Sequence, residues 1–103
     1  MWVLPPRRRD DTNHVYHLYV TRSDQRDRFQ AMLRDRGVGT GIHYPVPVHR
    51  QPAYAGRLAL GPTGCPVTEV AAKEVLSLPI YPELTDSDIE TVCAALKTLL
   101  RNH

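Results

Sequence analysis

The sequence predicts an α+β two-layer sandwich: a small three-stranded sheet with helices on one face. Three observations carry this: short β-branched or aromatic runs, amphipathic stretches of helical period between them, and the order β-α-β-loop-α-β-α with no internal repeat. With 103 residues the chain has room for one small domain and a core of little margin. A 42% hydrophobic and 23% charged composition excludes a disordered segment. A formal charge of +2 is too balanced to argue for nucleic acid. Apolar runs of only a few residues argue against a membrane span.

Residues 1–13 read as an irregular lead-in of two prolines, three arginines (Arg7 to Arg9) and a polar run. The arginines suit either a phosphate contact or a solvated arm. The basic cluster follows the apolar start, the wrong order for a secretory signal. Cys65 and Cys93 show no ligand spacing and fit reduced thiols, so a cytoplasmic setting is expected. Met1 ahead of this lead-in is compatible with a cloned domain or a short open reading frame.

The domain proper is expected at 14–103. Residues 14–21 alternate as an interior strand, with Tyr16, Leu18 and Val20 on one face and Val15, His17 and Tyr19 on the other. Ser23 or Asp24 then caps a helix to about Arg36, burying Phe29, Met32 and Leu33 and stopping at Gly37; Asp24 and Arg28 stand one turn apart. Val38 to Tyr44 reads as a second strand, and residues 45–64 as a proline-rich excursion. Pro66 opens a helix whose stripe is Val67, Val70, Ala71 and Val75, with Glu69 paired to Lys73. Leu78 to Tyr81 forms an edge strand. Thr85 with Asp88 makes a capping box for a last helix that buries Ile89, Val92, Cys93, Leu96, Leu99 and Leu100.

The densest polar constellation is the segment from Gly41 to Tyr54, where prolines stiffen a run of two histidines, two tyrosines, an arginine and a glutamine. One reading is a ligand-facing edge, with His43 and His49 as donors or acid/base groups, Tyr44 and Tyr54 as aromatic donors and Arg50 for an anion. The other is a loop whose aromatics simply cover the sheet. His43 and His49 stand six residues apart with no carboxylate or thiol between them, which reads against zinc, and His14 and His17 point to opposite faces. Cys65, just before a helix start, is either a mildly activated thiol or an ordinary loop cysteine. No GxGxxG or Walker-type phosphate loop is present.

These residues resemble something specific. The strand His14 to Val20, the Arg26-Asp27 helix opening, the block Arg36 to His49 with its His-Tyr-Pro-x-Pro-x-His core, and Gln51-Pro52-Ala53-Tyr54 all contribute. So do Cys65 to Glu69, Leu76-Ser77-Leu78-Pro79-Ile80-Tyr81-Pro82 and Leu84-Thr85. Together, over about residues 14–100, the chain resembles the C-terminal small domain of pyridoxal-phosphate-dependent sugar aminotransferases of the DegT/StrS type.

The resemblance implies a fold-type-I dimer with its active site between large and small domains. The large domain of that family supplies the Schiff-base lysine, the aspartate on the pyridine nitrogen and most phosphate contacts. Carried across by position, His43, Tyr44 and His49, with Tyr54, are the substrate-facing residues. The chain departs from the family in having only Lys73 and Lys97, neither in the family's lysine motif. No catalytic, cofactor-binding or metal residue is therefore assigned, and no cofactor is expected for this chain alone.

Three functions follow as expectations. The chain is a substrate-side domain inactive alone and completed by another chain. Alternatively it is a binding or regulatory partner of a full-length homologue, or a small enzyme of natural-product or deoxysugar biosynthesis using the His43/His49 loop. Association as a homo-oligomer or with a large-domain chain, and a sugar ligand, are expected with the first.

Overall fold

The sheet is organised around two strands far apart in sequence. In the computed structural model, which describes residues 1–101, β2 (Tyr19–Ser23) pairs antiparallel with β3 (Val75–Leu78), Tyr19 opposite Leu78 and Thr21 opposite Leu76. β1 (Val3–Leu4) adds to the other edge of β2, Val3 opposite Ser23, giving the order β1-β2-β3. Three helices complete the α+β fold: α1 (Arg26–Asp35), α2 (Pro66–Glu74) and α3 (Asp86–Arg101).

Strand alternation puts Leu76 and Leu78 on one face of β3 and Ser77 on the other. Against the leucines pack Phe29 and Leu33 of α1, Ala95 and Leu99 of α3, and Val38, forming a single core cluster. The expected stripe of α1 holds: Phe29 and Leu33 are fully buried and Met32 packs beside them. Its end is a Schellman motif: Gly37 N–H donates to Arg34 O, Val38 N–H to Leu33 O, and Gly37 takes a φ of +79°.

Several elements differ from expectation, each for a physical reason. Within the expected lead-in, Val3 and Leu4 form β1, tied by Trp2 N–H to Asp24 Oδ1. That contact occupies Asp24, and α1 starts later, at a Gln25 N-cap whose side chain makes no capping bond. Residues 14–18 are not strand. Tyr16 sits at φ +48°, its N–H bonded to His14 Nδ1, and the rings of His14, Tyr16 and Tyr19 stack in sequence. Between Val38 and Tyr44 only Gly41 pairs, as an isolated bridge to Ser77.

β3 begins at Val75 and ends at Leu78, three residues earlier than expected, because α2 runs directly into it. Val75, expected on the helix, is a strand residue, while Val67 and Val70 are exposed and Ala72 is the buried position of α2. On α3 the stripe is narrower than expected. Val92, Ala95, Leu96 and Leu99 face the core, whereas Cys93, Ile89 and Leu100 are exposed. The capping box forms as expected, Asp88 N–H donating to Thr85 Oγ1 and Thr85 N–H to Asp88 Oδ2. The Thr85 backbone N–H, and after it the Thr85 hydroxyl, hold the Asp88 carboxyl below its usual range. Among the described residues no helix is long and apolar enough to cross a membrane.

Candidate functional site

The excursion after Gly41 is clamped to the domain at two points, and both clamps use histidines. The first is His43. Its Nδ1 lies 2.8 Å from Ser77 Oγ, on the face of β3 away from the core. Gly41 makes room for the ring: a Cβ there would stand 2.8 Å from His43 Cε1, so the bare Cα is what lets the imidazole lie over the bridge to Ser77. The ring of Tyr44 meets that of His43 edge-on, centroids 5.3 Å apart, across a cis peptide bond.

The second clamp joins a 3₁₀ turn (Val48–Arg50) to α2. His49 Nε2 donates to Glu69 Oε1 at 3.1 Å, and Arg50 Nε donates to the same oxygen at 2.8 Å. Arg50 N–H to Pro47 O and Gln51 Nε2 to Val46 O close the turn on itself. These donors, His49 first and Arg50 second, hold the Glu69 carboxyl below its ordinary value, while slight burial pushes the other way without winning.

A recess of about 230 Å³ opens between loop and helix, walled by His43, Tyr44 and Val48 on one side and Thr68, Ala71 and Val75 on the other. Tyr44 stands 70% exposed at its mouth. A second recess, on the far side of His43, is lined by Thr40, Gly41, Ser77, Pro79 and Tyr81. His43 thus belongs to the wall between the two. Tyr54 is exposed further along the loop and lines neither recess.

The four residues singled out in the sequence are therefore not brought to one surface. His43 and Tyr44 adjoin, Tyr54 stands apart, and the His49 side chain is only 9% exposed, turned toward Glu69. Each imidazole spends one nitrogen on a protein partner, His43 Nδ1 on Ser77 and His49 Nε2 on Glu69. Glu69, expected to pair with Lys73 along α2, instead holds the loop, because two donors on a stiff turn reach it together. Ser77 and Glu69 were missed as site residues. The readable signal for Ser77 was a hydroxyl alternating between two leucines, which places it on the opposite face of a strand. Cys65 N-caps α2 through its backbone, without a side-chain capping bond. No group of three or more His, Cys, Asp or Glu that could hold a metal ion exists among the described residues.

The Glu69 clamp makes stability pH-dependent in a defined direction. A carboxyl held low in the fold contributes stability above the ordinary glutamate range, about 4.3, and loses it as pH falls through the lower folded value. In urea titrations the gap between native chain and Glu69→Gln is therefore widest near neutrality and closes on acidification. A gap that widens in acid would contradict the assignment.

Compared with known proteins, residues 2–97 match the DegT/DnrJ/EryC1/StrS aminotransferase family. The pleiotropic regulatory protein of Geobacillus stearothermophilus is 38% identical over 100 residues, covering 97% of this chain and 27% of that protein. The erythromycin biosynthesis sensory transduction protein EryC1 of Saccharopolyspora erythraea is 52% identical over 83 residues, 81% of this chain and 22% of its own. The crystal structure of Streptomyces venezuelae DesV in complex with a ketimine intermediate superposes with a TM-score of 0.86 at 39% identity, over 94% of this chain and 26% of DesV. The chain thus spans about a quarter of the length of the relatives it matches. With that extent of agreement in sequence and fold, the chain belongs to the DegT/DnrJ/EryC1/StrS aminotransferase family.

Proposed function

We propose that this chain is the substrate-side unit of a pyridoxal-phosphate-dependent sugar transaminase, and that it does not transaminate by itself. The observation that carries the reading is the extent of the match. Most of the chain aligns with relatives named as sugar transaminases: the UDP-2-acetamido-2-deoxy-3-oxo-D-glucuronate aminotransferase of Pseudomonas aeruginosa matches over 80% of this chain, yet the match spans 22% of that protein. In this reading His43 and Tyr44 meet a sugar ligand at the mouth of the recess and Tyr54 extends the surface. His49 acts at one remove, holding the loop through Glu69.

Pyridoxal phosphate supplies an aldehyde that bonds an amine and a ring that takes up electrons, and it needs a lysine in a cradle of phosphate donors. The residues here do not fit it. Lys73 and Lys97 are both exposed on helices. The cleft that Lys73 borders also contains Arg50 and Glu69, already bonded to each other. No buried side-chain polar atom among the described residues lacks a partner and waits for a ligand.

Absorbance scans with added pyridoxal phosphate, followed by borohydride trapping, test this. The chain alone is expected to give no stoichiometric adduct and no transamination. A stable adduct at Lys73 or Lys97, abolished by replacing that lysine, would sink the proposal.

The same reading predicts association. Tyr44, Val46 and Val48 on the loop and Val67 and Val70 on α2 are exposed apolar groups, and such surface favours a partner. Sedimentation is expected to show a homo-oligomer, or a complex with a homologous large-domain chain. A strict monomer at high concentration, with no homologue bound, would contradict it.

A further inference from the structure

The hydroxyl of Ser77 has one proton to donate and, among the described residues, one place to put it. Ser77 is 5% exposed, and its Oγ has no side-chain or backbone partner other than His43 Nδ1, 2.8 Å away. If Nδ1 carried the ring proton and donated to Oγ, the serine's own proton would have no protein acceptor among the described residues and would be left to the recess that Ser77 lines, a poorer exchange than a direct bond. With Nδ1 accepting, both groups are satisfied, and the single proton of the neutral imidazole resides on Nε2. Gly41 holds the ring against this partner by leaving space where a Cβ would stand 2.8 Å from Cε1. Nε2 itself has no hydrogen-bond partner among the described residues, and the ring forms part of the wall of both recesses.

We infer that Ser77 is a positioning residue that fixes His43 as the Nε2–H tautomer, so that the ring offers a ligand a donor and not an acceptor. The ligand group it takes is an acceptor oxygen, whether a sugar hydroxyl, a carbonyl or a phosphate oxygen. The choice of ligand group rests on the proposed function, which turns His43 toward a sugar; the tautomer does not.

Long-range ¹H–¹⁵N spectra of the full chain at about pH 9, where imidazoles are neutral, read the tautomer directly, with His43→Gln assigning the signal. The expected result is a pyridine-type Nδ1 and a pyrrole-type Nε2 in the native chain. In Ser77→Ala the two shifts move toward an average, and in Ser77→Thr they return. A pyrrole-type Nδ1 or an averaged ring in the native chain overturns the inference. So does a tautomer unchanged in Ser77→Ala. If that variant fails to fold, the native spectrum alone still decides. Titration with a UDP-sugar separates the two claims. Binding with the wrong tautomer refutes the role of Ser77 alone, whereas the right tautomer with no shift of the His43 signals refutes the substrate-side reading alone.

Discussion

Phe29→Ala is expected to lower the melting temperature of this domain by about 15 °C or more. Its ring is fully buried and packs with Leu33, Leu76 and Leu99, each also fully buried. Emptying such a site costs about 3–5 kcal/mol, because the lost transfer energy is compounded by a cavity that neighbours fill only in part. Domains of this size hold about 5–15 kcal/mol in total, and each kcal/mol moves the midpoint by about 4–8 °C. Among the described residues the core is one cluster of seven buried side chains, with no second cluster to absorb the loss. Circular-dichroism melts check it, with Val67→Ala as control. Val67 is 77% exposed, and its replacement should stay within about 0.5 kcal/mol of the native chain. A Phe29→Ala shift as small as the control's would mean the cluster does not hold the fold together.

Arg26→Met should cost about 3 kcal/mol, seen as a lower urea midpoint at unchanged slope. The Arg26 side chain is 10% exposed, and one guanidinium nitrogen donates to both Ala72 O (2.9 Å) and Val75 O (3.1 Å). Those carbonyls flank the junction where α2 becomes β3 with no turn residue between. A helix end leaves carbonyls without intrahelical donors, and here a side chain from the start of α1 supplies them. Hydrogen bonds from a charged donor contribute about 1.5–3 kcal/mol each. Methionine keeps the apolar stem, so the measured loss isolates the polar head. The ion pair with Asp27 adds little, since that carboxylate is almost fully solvated. A midpoint unchanged in Arg26→Met would mean water serves the junction equally well.

What was legible in the sequence follows distance along the chain. The capping box at Thr85 and Asp88 and the glycine stop after α1 are contacts within a few residues, and both formed as read. Arg26 at the α2–β3 junction, Trp2 on Asp24 and His49 on Glu69 join residues 20 to 49 positions apart, and no local pattern announces them. The strand expected at 38–44 dissolved because its only ladder partner is Ser77, reached by Gly41 alone. The strand at Val3 and Leu4 escaped notice because two residues carry too little alternation to read. At the site, the stiff loop and its histidines were legible, but their orientation was not. Whether an imidazole opens to a ligand or closes on the protein depended on Glu69, read as the partner of Lys73, and on Ser77, to which no role was given.

The long span between β2 and β3 also governs how the molecule assembles. Their paired residues lie 53 to 59 positions apart (Arg22 to Val75, Tyr19 to Leu78), so the seam closes only after a large loop entropy has been met. Contacts of such separation make folding slow for a chain of this length. Ser77 lies on that seam, its N–H bonded to Gly41 O at 2.7 Å, and His43 is placed only once the seam exists. The His43 wall is thus among the last features to form during folding. Hydrogen exchange at Ser77 N–H, the donor that ties this seam to Gly41 O, is expected to time its opening.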